Sequence, residues 1–141
     1  MERLTLLFIL ERYSSSESIY LPIREEELFE NCSLNMDCKV EISSVNWTSR
    51  DPIDVVAWDQ RDSTGEGYEC KIKINSLKES DEDILFNLWK HSNSNRFIEK
   101  FNVGIVTFST KEIIDFLDIS IDNVNIYGRN NIDKLREFNV S

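Results

Sequence analysis

The chain has 141 residues, of which 40% are hydrophobic and 30% charged, with only four glycines and two prolines. This composition excludes a collagen-like or disordered chain and predicts one folded domain over residues 1–141. The net charge of −10 argues against a broad basic surface for nucleic acid, and no apolar run approaches the ~20 residues that span a bilayer.

The acidic charge is concentrated in the first half of the chain. Residues 1–70 hold 6 Lys/Arg and 15 Asp/Glu, whereas residues 71–100 hold 6 and 5. The segment after Glu69 is therefore the one least repelled by phosphate. We expect weak affinity for DNA unless a partner chain or metal ions contribute.

Few cysteines and one histidine restrict the possible chemistry. Cys32 and Cys38 are six residues apart and Cys70 is the third cysteine, a pattern that fits neither a disulfide framework nor a zinc site. We expect reduced thiols. The single histidine, His91, excludes catalysis by a histidine pair and has no nucleophile elbow near it for a Ser-His-Asp triad.

Two helices are predicted before the first strand. In MERLTLLFILERY, the spacing i, i+3, i+4, i+7 places Leu4, Leu7, Phe8 and Glu11 on one inward helical face. Charges bracket this apolar segment and no cleavage site follows, so we expect no signal peptide and a cytoplasmic protein. The second helix is predicted in IREEELFENCSL, just after Pro22.

The middle of the chain changes to a β pattern. Three strands are predicted, CKVEISSVNW, IDVVAWD and YECKIKI, separated by the turns TSRDP and RDSTGEG. Two capping boxes, Ser80 with Asp83 and Ser109 with Glu112, predict helices on either side of the buried strand FNVGIVTF. VNIY predicts a last strand and DKLREF a last helix. This order predicts an α/β fold with helices packed on a central sheet.

Charged residues stand together on the third of these strands. Because side chains alternate along a strand, Glu69, Lys71 and Lys73 share one face. Simple pairing of residues 53–59 with 68–74 would nevertheless separate Asp54 from Glu69, since Glu69 lies near the tip of that hairpin and Asp54 far from it. The two acids then meet only if the strands splay or bulge.

A family resemblance supplies that convergence. Asp54 within DPIDVVAW, followed fifteen positions later by Glu69-Cys70-Lys71 within GYECKIK, resembles the PD-(D/E)xK motif of the restriction-endonuclease-like nucleases. In that superfamily the two half-motifs lie on adjacent strands that diverge, and the acids meet at the opening. The resemblance covers residues 38–128 by element order and the motif alone by residue type. It implies a restriction-endonuclease-like core, a central mixed β-sheet flanked by helices.

The resemblance also implies the chemistry. It predicts a magnesium-dependent endonuclease that hydrolyses DNA, with Mn²⁺ as a substitute ion. Asp54, Glu69 and the backbone carbonyl of Cys70 would be the metal ligands, because magnesium prefers oxygen. Asp54, Glu69 and Lys71 would be catalytic, with Lys71 positioning the attacking water and offsetting phosphate charge. For a fourth acid, the helical face favours Glu11, whereas Glu30 lies nearer the first strand in sequence.

Partners and rival interpretations follow from the same residues. A chain of this length has no room for a separate target-recognition domain, so we expect a homodimer or a subunit beside a partner protein in a defence or repair assembly. One alternative is a catalytically inactive protein of the same fold that serves as a protein-interaction or regulatory module. Another is an unrelated α/β binding domain, in which Asp54 and Glu69 would lie too far apart to share an ion. RNA remains open as a substrate beside DNA.

Overall fold

The computed structural model describes residues 2–13, 32–42, 45–59 and 63–136, and it is an α/β fold built on a mixed sheet. Five strands form this sheet in the order β1-β4-β5-β6-β7: β1 (Cys32–Cys38), β4 (Ile53–Asp59), β5 (Thr64–Lys71), β6 (Lys100–Thr107) and β7 (Asn125–Tyr127). The β1–β4 and β4–β5 pairs are antiparallel, and the β5–β6 and β6–β7 pairs are parallel. The short strands β2 (Glu41–Ile42) and β3 (Trp47–Thr48) pair separately.

Helices cover both faces of the sheet. They are α1 (Glu2–Tyr13), α2 (Glu79–Asn93) and α3 (Lys111–Phe116), with 3-10 turns at Ile74–Ser76 and Ile132–Arg136. Helix α2 connects the parallel strands β5 and β6, as such strands require a crossover. Because β5 and β6 run in the same direction, the chain must run back along the sheet between them. The first turn of α2 therefore lies at the end of the sheet where β5 ends.

Two hydrophobic cores sandwich the sheet. On the α1 side, Leu6 and Ile9 pack with the buried strand residues Val55, Ala57 and Tyr68. On the α2 side, three buried helix residues pack with three buried residues of β6: Ile84, Leu85, Leu88, Phe101, Val103 and Ile105. Each such side chain contributes ~1.5–3 kcal/mol on burial, so these layers hold the strand ends in place.

The first predicted strand is wrong in its extent. Strand β1 ends at Cys38, where the prediction began, and the described residues of the predicted segment up to Trp47 hold β2 and the start of β3. Asn46 adopts a left-handed φ of 52°, a conformation that Asn tolerates in a tight reversal. Cys32, which we had placed in the second helix, begins β1. The rest of that predicted helix up to Asn31 lies outside the described residues.

The strand at the centre of the sheet starts earlier than its sequence pattern indicates. Strand β5 begins at Thr64, inside the predicted turn, and ends at Lys71 instead of continuing to Ile74. Gly65 and Gly67 are thus strand residues, and a Cβ at Gly65 would lie 2.5 Å from Cε2 of Phe101. These glycines allow a close approach of the aromatic ring rather than a reversal of the chain.

The predicted inward face of α1 is wrong in part: Phe8 packs against the α1-side core as predicted, but the buried residues lie on the neighbouring stripe. Thr5, Leu6 and Ile9 are buried, whereas Leu7 is 45% exposed. The segment LTLLFIL is apolar on two adjacent stripes, and periodicity alone cannot choose between them.

The other predicted helices and strands are present among the described residues, with shifted boundaries. Helix α2 forms where a helix was predicted and buries Ile84, Leu85 and Leu88, but it starts at Glu79, one residue before the predicted cap. Helix α3 is capped by Thr110, whose hydroxyl accepts a hydrogen bond from the Ile113 N–H, instead of by Ser109. Strand β6 lies one residue earlier at each end than FNVGIVTF, VNIY contains β7, and DKLREF overlaps the last 3-10 turn. None of the described helices has the length and apolar character needed to cross a membrane.

Candidate active site

Strand register brings the two predicted acids together. In the β4–β5 ladder Val55 lies opposite Tyr68, so one further step places Asp54 opposite Glu69. This contradicts the separation expected from simple pairing. The physical reason is the early start of β5, which moves the hairpin tip away from Glu69.

Strand β4 is irregular at Asp54. Ile53 packs in the α2-side core and Val55 in the α1-side core, although residues two apart on a regular strand share a face. Across the β1–β4 ladder, the position opposite Asp54 belongs to Asp37, which has a left-handed φ of 52°. Asp54 turns towards β5, where its Oδ2 accepts a hydrogen bond of 2.8 Å from the Cys70 N–H.

Glu69 is a buried carboxyl group beside this acid. It is only 6% exposed, and among the described residues its Oε1 has no hydrogen-bond partner. The pKa of Glu69 is raised to about 8, mainly by burial and then by the charge of Asp54, a side-chain hydrogen bond with Asp54 and the charge of Asp81, against the opposing effect of Lys71. The neutral form of Glu69 is therefore favoured at neutral pH.

Lys71 is paired with an acid from the helix that follows. Its Nζ lies 3.1 Å from Oδ2 of Asp81, and the two side chains are 23% and 14% exposed. The same Oδ2 accepts a hydrogen bond of 2.9 Å from the Lys78 N–H at the start of α2. Lys71 stands two residues after Glu69 on the same strand, so both side chains share a face, and the charge of Lys71 acts to lower the pKa of Glu69.

Cys70 faces the opposite side of the sheet. Its Sγ lies 3.6 Å from the Thr5 hydroxyl of α1, and burial raises the pKa of its thiol to about 12. A neutral, buried thiol is not a ligand for a hard cation. The backbone carbonyl is therefore the only group of Cys70 that could take the metal-ligand role that the resemblance implies.

Asp54 and Glu69 are two neighbouring carboxylates that could supply part of the ligand set of a metal ion. In the part of the chain that the structure describes, no group of three or more His, Cys, Asp and Glu side chains could hold a metal ion. Asp54 and Glu69 offer two carboxylates, and the unpartnered Oε1 of Glu69 is an oxygen in need of a partner. Magnesium in phosphoryl-transfer sites is commonly bound by one or two carboxylates together with phosphate and water.

Asp81 is the site residue that the sequence analysis missed. A signal existed, because three acids of the ESDED segment fall in the first turn of the helix directly after the motif. The question of the fourth acid stays open. Glu30 lies outside the described residues, as does the side chain of Glu11, and the face that favoured Glu11 is not the buried one. Lys73 follows the end of β5 and is exposed.

No protein-family model, curated protein or solved structure matches this chain. The function must therefore be inferred from the geometry of Asp54, Glu69 and Lys71 and from the fold that positions them.

Proposed function

We propose that the chain is a magnesium-dependent nuclease that hydrolyses phosphodiester bonds of DNA. The observation that carries this proposal is the meeting of Asp54 and Glu69 on neighbouring strands, beside Lys71. The order of elements supports a restriction-endonuclease-like core: a helix, three antiparallel strands, a crossover helix and a parallel strand. The irregularity of β4 at Asp54 is the kind of divergence that the motif requires.

Each residue type fits a defined task. Asp54 and Glu69, with the carbonyl of Cys70, would hold Mg²⁺ or Mn²⁺, and the ion would stabilise the charge that develops on the phosphate oxygens. Lys71 supplies a cation that hydrogen-bonds the attacking water and offsets phosphate charge. Since the chain is strongly acidic, we propose that a second copy or a partner subunit contributes to DNA binding.

A plasmid-nicking assay tests the proposal. With Mg²⁺ or Mn²⁺ the wild-type chain should cut DNA, and Asp54→Asn and Lys71→Met should each lower the rate by about 10²–10⁴-fold, because each removes a ligand or a proton-handling group. Lys73→Met is the matched control, because it removes the same charge from an exposed lysine two residues after Lys71. Thermal unfolding establishes that every variant folds, and an RNA substrate of matching sequence separates the two nucleic acids.

Equal cutting by wild type and the Asp54→Asn variant would overturn the assignment of the site. A folded wild type that cuts neither DNA nor RNA, alone or with a partner subunit, would instead favour the second candidate function, an inactive protein-interaction or regulatory module.

One observation favours that second candidate. Next to the end of β5, exposed apolar side chains line a groove of about 550 Å³, and Phe116 is 87% exposed there. Exposed apolar patches of this kind often mark protein-protein contacts. Association of purified chains in sedimentation equilibrium, together with absent cutting, would support the module.

A further inference from the structure

We propose that Asp81 is a positioning residue of this site, which holds the ammonium group of Lys71 beside the Asp54–Glu69 pair. The inference rests on the proposed nuclease function and assigns to it a residue outside the motif. It identifies the first turn of α2 as part of the catalytic arrangement.

The contacts of a single oxygen carry the inference. Oδ2 of Asp81 lies 3.1 Å from Nζ of Lys71 and 2.9 Å from the backbone nitrogen of Lys78. The backbone contact fixes the carboxylate at the helix start, and the fixed carboxylate then fixes the amine. A lysine side chain has four rotatable carbon-carbon bonds, so an unanchored ammonium would sample many positions.

Burial separates this pair from an ordinary surface ion pair. Exposed pairs contribute little because water and salt screen them. Lys71 and Asp81 are 23% and 14% exposed, so their attraction is screened less. The ion pair of Arg50 and Asp51 offers a contrast, since these two side chains are 71% and 55% exposed.

The topology explains why α2 provides this acid. Strand β5 ends at Lys71, and the crossover to the parallel strand β6 returns through α2. The first turn of α2 therefore stands at the same end of the sheet as Asp54 and Glu69. Asp81 contacts Lys71 while the unpartnered Oε1 of Glu69 remains free to meet an ion, so the two acids have separate tasks.

Asp81→Asn tests the inference, with Asp83→Asn as the matched control. The asparagine can still accept the Lys78 N–H, so the helix start is kept while the ion pair is lost. Asp83→Asn removes the same charge from the same helix, but at an exposed position. Three measurements are made on the full chain. The first is the acetylation rate of the Lys71 amine without metal, relative to that of Lys73, by mass spectrometry. The second is DNA cleavage with Mg²⁺, and the third is the affinity of each protein for Mn²⁺.

We expect Lys71 to acetylate several-fold faster in Asp81→Asn and at the wild-type rate in Asp83→Asn. We expect kcat to fall about 10–100-fold in Asp81→Asn with KM within about threefold, because a misplaced group loses rate rather than binding. Asp81→Glu should recover part of kcat. Mn²⁺ affinity should stay within about threefold, since Asp81 is not a ligand.

The failures are distinguishable. Suppose that the wild type cuts DNA but that Asp81→Asn leaves either the acetylation rate of Lys71 or kcat unchanged. The role of Asp81 alone is then overturned, and a tenfold loss of Mn²⁺ affinity in Asp81→Asn would overturn it as well. A wild type that cuts nothing overturns the proposed function, and the role of Asp81 within it.

Discussion

Glu69 illustrates how a single carboxyl group can be held ready for a cation. It is buried opposite Asp54 with one oxygen unpartnered, an arrangement that destabilises its charged form. A divalent ion would relieve both the burial of charge and the repulsion between the acids. The same features that suit a metal ligand therefore lower the stability of the metal-free protein at high pH.

The stability of the metal-free protein should fall as pH rises. The pKa of Glu69 is raised from 4.5 to about 8, so between these values the folded chain keeps a proton that the unfolded chain releases. The free energy of unfolding then decreases across this window, by on the order of a few kcal/mol at ~1.4 kcal/mol per pKa unit. Glu69→Gln removes this decrease, which urea denaturation in EDTA at pH 5 to 9 measures.

Glu79→Gln is the control for that series, since Glu79 is exposed at the start of α2. Its curve should follow the wild type, and the advantage of Glu69→Gln over both should grow with pH. Parallel curves for all three proteins would show that Glu69 titrates normally.

At the scale of elements, β5 is the central strand that connects the site to both cores. On the face of β5 towards α2, Gly65 and Gly67 lie under the helix. Glu69 and Lys71 follow on the same face at the end of the strand. The glycines let Phe101 and Leu88 approach the backbone closely. This packing sets how far α2 stands from β5, and therefore where its first turn lies.

Alanine at Gly65 should cost more than alanine at Gly67. A Cβ at Gly65 would lie 2.5 Å from the Phe101 ring and 2.8 Å from Trp58, whereas at Gly67 the nearest atom is the mobile end of Leu88 at 2.8 Å. Overpacking of a core costs ~1–3 kcal/mol, and we expect Gly65→Ala at the upper end. Urea denaturation measures both variants, and a larger loss for Gly67→Ala would contradict this reading of the packing.

At the scale of the whole molecule, the net charge of −10 acts against both compactness and DNA binding. Cations of any kind will screen this repulsion, whereas the ion proposed at Asp54 and Glu69 would bind at a defined place. The two effects can be separated because screening depends on ionic strength and site binding on the two carboxylates.

Magnesium chloride should raise the melting temperature more than sodium chloride at equal ionic strength and pH 8.5. Binding to the folded state adds about 1.4 kcal/mol when the magnesium concentration is ten times its dissociation constant. Thermal unfolding should show that Asp54→Asn loses the excess but keeps the sodium effect. Asp51→Asn, an exposed acid on the same loop-strand segment, is the control. Equal effects of both salts on wild type would mean that the acid pair does not bind magnesium.

Local patterns predicted much of this protein. The β pattern located β4, a continuous apolar run located β6, a capping box indicated α2, and the resemblance to a known motif grouped Asp54, Glu69 and Lys71. These features depend on residues close in sequence, whose periodicity and type are visible without a fold. The α/β class followed from their order.

Tertiary structure alone decided the register, the buried face of α1 and the partner of Lys71. Asp54 meets Glu69 because β5 begins at Thr64 and pairs with β4 in the register that follows from this start, and Asp81 reaches Lys71 because a parallel pair requires a crossover. Each depends on packing between segments distant in sequence. Single-segment periodicity carries no information about such contacts, and it is these contacts that turn three separated residues into a candidate site.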